Sequence, residues 1–278
     1  MFPALGPSVP LLRRGPAEVQ LGLDPDGTVV LSGLSEAEIR SLELLDGSLP
    51  LEDVLAPQAG SDRFGRLVLD LLDRGLLVDA RSSARRPHPS ILVDGDGATS
   101  RELADLLRQS GAQVLQGRSA FDDLDLAHRS GHTPSAGDQV DLLVRVAAGA
   151  LSPVGGRPVD DLVCLPVLLR PRSVVVGPFV DSTGPCLLCL DLTRADHDPA
   201  WAHLLAQMGR LHEPASASAL TTMAAALACS RILAHLDATT PESRDLLEPD
   251  VSVEMSMHPP RVVRRTWSRH PRCHRHPR

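Results

Sequence analysis

A break in the hydrophobic pattern divides this chain and limits what it can fold into. Residues 81–90, RSSARRPHPS, are polar and proline-rich, which is typical of a linker. The 278 residues are enough for one large domain or two modest ones. We therefore expect two folded parts, residues 1–80 and residues 91–278, joined by a linker over residues 81–90.

The pattern of the first part predicts a β-hairpin followed by three helices. Polar and apolar residues alternate over residues 18–23, and a turn sequence, DPDG, separates them from TVVL. Ser35 and Glu38 are spaced as the capping box of a first helix. Residues 50–55 predict a short second helix, and the apolar stripe from Phe64 to Leu72 predicts a third. This order predicts a small winged-helix-like α+β module.

The second part opens on a strand, a glycine-containing loop and a helix. Ile91 to Val93 form the apolar strand, Thr99 and Glu102 are spaced to cap the helix, and a second strand follows at Gln113. Together they predict a βαβ unit and a Rossmann-like α/β fold. Further segments are expected as strands at 141–146, 162–165 and 174–176 and as a buried or dimer-forming helix at 216–236.

Composition excludes several classes of function. The chain has no lysine, since all 28 basic residues are arginine, so no lysine can bind a phosphate or form a Schiff base. No stretch predicts a membrane span or a signal peptide, and five cysteines are too few for a disulfide scaffold, so a cytoplasmic protein is expected. Residues 1–80 hold 6 Arg and 13 acidic residues, a net charge of −7, which opposes nucleic-acid binding by this part.

The glycine loop after the first apolar strand is a degenerate nucleotide-binding motif. A dinucleotide fingerprint needs G-x-G-x-x-G, and here Gly95, Gly97 and Ser100 stand at its three glycine positions. Asp94 and Asp96 place carboxylates where a phosphate would lie, and like charges at short range are costly there. The loop therefore predicts a Rossmann-like turn that does not hold ATP.

Five cysteines include one C-x-x-C pair, Cys186 and Cys189, which supplies half of a tetrahedral zinc site. The other half would come from the C-terminal tail, from Cys273 with either His276 or His274. The alternative is a pair of buried apolar cysteines and a solvated basic tail, since residues 261–278 hold seven arginines.

The motifs VGPFVDSTGPCLLCLDL (176–192) and DHDPAW (196–201), with the Cys- and His-rich C-terminus introduced by RHP, resemble the E1-like ThiF family. The resemblance is to the branch found with YcaO-type cyclodehydratases in the modification of ribosomally made peptides (TOMM). Residues 10–79 resemble the leader-peptide recognition element of that system. The resemblance implies capture of a precursor leader peptide for a modifying partner, a homodimer, and a zinc site of four cysteines. Cys186, Cys189 and Cys273 correspond to three of them, and the fourth position would be a histidine here, with His276 as the candidate, or would be lost.

A leader peptide would add as a strand to the edge of the N-terminal sheet, beside the third helix. The residues expected to contact it are, through the backbone, Val29, Val30 and Leu31, and through side chains, Arg63, Arg66, Leu67 and Asp70.

Two other functions stay open at this point. Active E1-like enzymes use a lysine and a second aspartate that this chain lacks, so no catalytic residue is assigned and ATP binding is not expected. An active ATP-dependent adenylyltransferase is the first alternative, and a winged-helix DNA-binding regulator is the second.

Overall fold

A computed structural model describes residues 1–6, 9–24, 27–58, 62–80, 88–117, 140–151, 162–211, 218–238, 247–257 and 259–276. Contacts divide the chain into two compact units, Met1–Arg86 and Pro87–Arg278. The expected linker falls mostly on residues 81–87, which lie outside the described residues, and Ser90 is already the first residue of a strand.

Unit 1 is an α+β unit with two small antiparallel sheets. Its elements are β1 (Pro3–Leu5), β2 (Leu11–Gly15), β3 (Glu18–Leu21), β4 (Val29–Ser32), α1 (Glu36–Glu43), α2 (Leu51–Leu55), α3 (Asp62–Asp73) and β5 (Leu77–Asp79). One sheet has the order β2-β3-β4, and β1 pairs with β5 in the other. The hairpin and the three helices follow the predicted order, and the residues at the centre of its turn lie outside the described residues.

The helices of unit 1 begin where the sequence signals place them. The Ser35 side chain accepts a hydrogen bond from the backbone N–H of Glu38, and Glu38 accepts one from the N–H of Ser35, so the capping box is confirmed. On α3, Phe64, Val68 and Leu71 are fully or almost fully buried, as the helical stripe predicts. They pack against Val19 and Leu21 of β3, Ile39 and Leu42 of α1, and Val54 of α2.

Unit 2 is built on a seven-stranded mixed sheet with the order β12-β11-β10-β9-β8-β6-β7. Its parallel strands are β6 (Ser90–Asp94), β7 (Gln113–Gln116), β8 (Leu142–Ala148) and β9 (Val163–Leu169). The antiparallel extension is β10 (Ser173–Val176), β11 (Val251–Met257) and β12 (Pro260–Thr266). The helices are α4 (Ala98–Gln109), α5 (Leu187–His197), α6 (Trp201–Met208) and α7 (Ser218–Asp237). The result is a mixed α/β fold consistent with a Rossmann-like, ThiF-type domain.

Both faces of this sheet are covered. Ile91 and Val93 of β6 belong to one core, which is shared with α4 and α7, whereas Leu92 points into a second core that contains Cys186 and Cys189. Such alternation within a strand that is buried throughout is typical of a parallel strand between two layers.

The start of α4 differs from the expectation. The N-cap is Gly97, which makes no side-chain cap, so the capping box expected from Thr99 and Glu102 is wrong. Thr99 is fully buried inside the first turn, and Glu102 instead accepts a hydrogen bond from the Thr222 hydroxyl of α7 at 2.7 Å. Since glycine has no side chain, the N-cap residue donates or accepts no side-chain hydrogen bond at the start of α4.

Helix α7 is the long apolar helix expected near residues 216–236. Its stretch Ala219–Asp237 is long and apolar enough to span a membrane, with a mean hydropathy of 1.4, and 39% of the window is buried in the protein. The buried face carries Ala224, Ala225, Ala228 and Ile232, which pack into the core shared with the sheet. A core helix has the same length and composition, so this feature alone assigns no membrane.

Candidate functional site

In unit 1, β4 is an edge strand beside a cleft. Among the described residues β4 pairs only with β3, so no strand occupies its other edge. A cleft of about 400 Å³ lies between this strand and α3. Its lining residues are Val30, Leu31, Ser32, Leu34, Arg63, Arg66, Leu67 and Asp70.

Six of the seven residues expected to contact a peptide line this one cleft. Val29 is the exception, since it begins β4 and packs toward the core of unit 1. Val30 is 39% exposed. Positions 63, 66, 67 and 70 follow the i, i+3, i+4, i+7 spacing of one helix face, which is why a single face of α3 borders the cleft. The arrangement joins an open strand edge to a wall with apolar, basic and acidic groups.

Charged groups of the cleft wall are partly engaged. The Arg63 guanidinium donates hydrogen bonds to the carbonyls of Ser32 at 3.4 Å and Gly33 at 3.2 Å. Asp70 accepts a bond from Arg74 at 2.8 Å, and both side chains are about half exposed. The bonds of Arg63 thus hold its guanidinium beside β4, and both Arg63 and Asp70 stay exposed to solvent.

In unit 2, the glycine loop is tightly packed. A Cβ added to Gly95, whose φ is +151°, would lie 2.3 Å from the Ser100 hydroxyl oxygen. Ser100 is fully buried, and its hydroxyl has no hydrogen-bond partner among the described residues. The residue at the third glycine position therefore fills the space beneath the loop.

The acidic character of the loop is partly neutralised, which the sequence did not suggest. Arg145 on β8 lies beside Asp94 because the two residues are register partners in adjacent parallel strands. Its Nε donates to the Asp94 carboxylate at 3.0 Å, and the two side chains are 17% and 12% exposed. The carboxylate of Asp94 is thus paired within the protein, and its negative charge is balanced by Arg145.

Cys186, Cys189, Cys273 and His276 converge into one cluster. Their candidate ligand atoms all lie within 4.8 Å of one another. The Sγ of Cys186 is 3.7 Å from that of Cys189 and 3.6 Å from that of Cys273. The arrangement is a possible Cys3His metal-binding cluster, compatible with zinc.

Burial and hydrogen bonds act in different directions on the ligands of this cluster. The Nε2 of His276 is buried without a hydrogen-bond partner among the described residues, so this acceptor is left for a metal. Burial raises the pKa of Cys186 to about 12. Burial also acts to raise the pKa of Cys273, but N–H groups of Arg275 and His276 and the neighbouring thiols outweigh it and lower this pKa. Bonds donated to sulfur stabilise the thiolate, the form that binds metal.

Two side chains hold the tail in place for this cluster. Arg269 donates hydrogen bonds to the carbonyls of Ser182, Thr183 and Gly184, the loop that leads into α5. His270 bonds the Asp196 carboxylate at 2.8 Å, and this bond lowers the pKa of Asp196. The RHP motif stands out in the sequence, but nothing in the sequence predicted these anchoring contacts.

The acidic residues of the DHDPAW region have structural partners. Asp191 accepts bonds from Arg194 at 3.2 Å and from the Trp201 indole at 3.1 Å. The Arg194 guanidinium lies 5.2 Å from the Trp201 ring centre and 5.0 Å from that of Trp267. Burial raises the pKa of Asp191 and lowers that of Arg194. Asp198 accepts a bond from the N–H of Ala200, and so stabilises the start of α6.

Comparison with known proteins shows which solved structures share this fold. No protein-family model matches the chain, and no curated protein matches it. The whole chain aligns with all of Escherichia coli MccB solved with ATP, at a TM-score of 0.60 and 12% identity. MccB, a microcin C7 biosynthetic enzyme, was also solved in complex with N-formylated MccA, and aligns at 0.59 and 11% identity over 99% of both chains. At this identity the likeness establishes a shared fold.

The proteins in a second group of solved structures are longer than this chain. The heterocyclase TruD aligns at a TM-score of 0.60 and 15% identity, over 98% of this chain and 42% of TruD. A heterocyclase in complex with substrate and cofactor aligns at 0.61 and 17% identity, over 96% of this chain and 38% of that protein. The chain thus spans about two fifths of the length of these heterocyclases. Its structural neighbours are biosynthetic enzymes.

Proposed function

We propose that this chain binds the leader segment of a ribosomally made precursor peptide and presents it to a modifying enzyme. The observation that carries the proposal is the open edge of β4 beside the cleft lined by α3. An extended peptide can add to such an edge through backbone hydrogen bonds, while pockets beside it select alternate side chains. Unit 1 would act as the winged-helix-like recognition module.

The cleft wall suggests how a peptide would be selected. Val30, Leu34 and Leu67 offer an apolar surface for a hydrophobic side chain of the peptide. Arg63 and Arg66 favour an acidic side chain toward one end of α3, and Asp70 favours a basic or hydroxyl group one turn further on. The exposed ion pair of Asp70 with Arg74 is weak enough to rearrange when a peptide binds.

The structural neighbours support this class of role. MccB was solved with MccA, and a heterocyclase was solved with its substrate. We also propose that a modifying enzyme of the YcaO cyclodehydratase type acts on the bound peptide, as the sequence resemblance implies. DNA binding is less well supported, because residues 1–80 carry an excess of acidic residues and the cleft is partly apolar.

We further propose that the Cys3His cluster holds a structural zinc ion. Three thiolates and one imidazole are ligands that zinc prefers, and four protein ligands complete a tetrahedral site. The unpartnered Nε2 of His276 fits this role. The zinc ion would fix the C-terminal tail against the start of α5. The site would leave no open position for substrate, so the metal would have no catalytic part.

The experiment for peptide binding uses the complete chain and fluorescence polarisation. The peptides are first selected from a random phage-displayed library for binding to the intact protein, and they are then synthesised with a fluorescent label. Arg66→Glu is expected to weaken binding by about tenfold or more, because it reverses a charge in the cleft. Arg40→Glu on α1 is the matched control, since Arg40 is exposed and lies outside the cleft. Equal loss in both variants, or in neither, would count against the cleft as the binding site.

ATP-dependent adenylylation is the second candidate function, and two observations favour it. The chain aligns over its full length with MccB solved with ATP, and Arg145 neutralises one of the two loop carboxylates. We nevertheless favour a glycine loop that does not bind ATP, because Ser100 replaces the third glycine and the sequence has no lysine. Pyrophosphate exchange in the presence of a bound peptide tests this: exchange that disappears in Gly97→Asp would establish the adenylating enzyme.

A further inference from the structure

The outer strand of the large sheet carries a basic surface that the proposed leader site does not use. Strand β12 lies at one end of the strand order and pairs only with β11 among the described residues. All but one of its seven residues are exposed, and Val262 is 62% exposed. A long exposed edge of this kind is a template for another strand unless something blocks it.

The charge of this edge is entirely positive. From Met255 to the C-terminus the chain has seven arginines and no aspartate or glutamate. On β12, Arg261 and Arg265 share one face because strand side chains alternate, and neither makes an ion pair with a described residue. Arg264 lies on the other face and pairs with Glu248. The first face therefore has uncompensated positive charge.

A cavity opens at the C-terminal end of this strand. It has a volume of about 540 Å³ and lies between β12 and α5. The lining residues are Thr193, His197, Arg265, Thr266, Trp267 and Ser268. A guanidinium, an imidazole and hydroxyl groups are donors that suit a carboxylate. No carboxylate lines the cavity among the described residues.

We propose that β12 and this cavity form a second peptide-binding site, for an extended acidic segment of another polypeptide. The segment would add as an eighth strand, with acidic side chains four positions apart facing Arg261 and Arg265. Four residues of strand span about 13 Å, so both contacts fit one straight segment. The second acidic side chain would enter the cavity beside His197.

Two other occupants fit this surface less well. A second copy of β12 would set arginines against arginines across the strand pair, and like charges directly opposite are destabilising. Single-stranded RNA is usually bound through exposed aromatic rings, whereas Trp267 is 6% exposed and its indole N–H is bonded to Ser252 at 2.8 Å. Both alternatives become outcomes of the test.

The test measures binding of labelled synthetic peptides of about nine residues, the length of a long strand, to the complete chain. One peptide alternates Glu with Val, and its matched control alternates Lys with Val. We expect the acidic peptide alone to bind. Binding is expected to fall by about tenfold or more in Arg261→Glu/Arg265→Glu, and less in the corresponding double Gln variant. The control Arg108→Glu/Arg210→Glu changes net charge equally on exposed positions elsewhere and should leave binding unchanged.

Backbone pairing is tested from the peptide side, where folding of a variant is not in question. Two versions of the acidic peptide carry N-methyl groups on alternate backbone nitrogens, one version in each phase. Strand addition predicts that at least one version binds more than about tenfold more weakly, because its donors to β12 are lost. The proposal would be overturned if both N-methylated versions bound as well as the parent peptide, or if both charge-reversal double variants lost binding equally. Binding of oligo-uridine RNA in place of the peptide would also overturn it. Self-association of the chain that is lost in Arg261→Glu/Arg265→Glu would also overturn it.

Discussion

Replacing Cys189 by serine is expected to remove the metal and to release the C-terminal tail. Cys189 is fully buried at the start of α5, and its thiol lies 3.7 Å from that of Cys186. A serine hydroxyl is a poor zinc ligand, so one of the four ligands is lost while the local shape is kept. Among the described residues, the tail would then keep hydrogen bonds such as those of Arg269 and His270.

The size of the effect follows from the loop that the metal closes. Cys186 and Cys273 are 87 residues apart. A cross-link over that length lowers the entropy of the unfolded chain and so raises its free energy by about 4–5 kcal/mol at 25 °C. A domain of this size changes its melting temperature by about 2–4 °C per kcal/mol. We therefore expect Cys189→Ser to melt about 10 °C or more below the wild type.

The assay combines metal analysis of purified protein with calorimetry, both with and without a chelator. Cys229→Ser is the control, because Cys229 is a buried cysteine of α7 outside the cluster. We expect about one zinc per chain in the wild type and the control, and a chelator should bring the wild type to the stability of Cys189→Ser. The reasoning is refuted if Cys189→Ser retains a full complement of metal, or if metal removal leaves the melting temperature unchanged.

Three more predictions concern unit 2. In a double-mutant cycle of Asp94→Asn and Arg145→Gln, urea unfolding should give a coupling energy of about 1–2 kcal/mol; additive effects would contradict the ion pair. Ser100→Ala should raise the free energy of unfolding by about 1 kcal/mol, since it removes a buried hydroxyl without a described partner; destabilisation would reveal a partner. Burial raises the pKa of Cys164 to about 12, above its unfolded value of about 9, so the unfolded chain loses this proton first. Between pH 9 and 12 the free energy of unfolding should therefore fall more steeply with pH in the wild type than in Cys164→Ala. Urea unfolding at each pH measures this, and parallel curves for the two proteins would contradict the prediction.

Local signals in the sequence were sufficient for most of the helices and strands. The capping box of Ser35 and the stripe of α3 involve residues within one or two helical turns, so spacing alone identifies them. The cap of α4 was predicted wrongly because Thr99 has the right residue type but is buried in the first turn. The hairpin of β11 and β12 was not predicted. The sequence of β11, VSVEMSM, does alternate apolar and polar residues as a strand would, and this signal was missed, whereas arginines interrupt the alternation of β12.

Contacts between distant residues were harder to predict. Sequence reasoning proposed the combination of Cys186, Cys189, Cys273 and His276, but left His274 open, and only the folded tail brings His276 to the thiols. The pair of Asp94 with Arg145 was missed, because it depends on the register between β6 and β8, which no local pattern encodes. This pair weakens the argument from acidity at the glycine loop, and leaves Ser100 and the absence of lysine as the stronger arguments.

Hydrogen–deuterium exchange on the complete chain, with and without a peptide selected by phage display, tests the central claim most directly. The account predicts slower exchange in β4 and on the face of α3 that carries Arg66 and Leu67, with protection lost in Arg66→Glu. Protection that falls instead on the glycine loop around Gly95 and Gly97, with β4 unchanged, would contradict it.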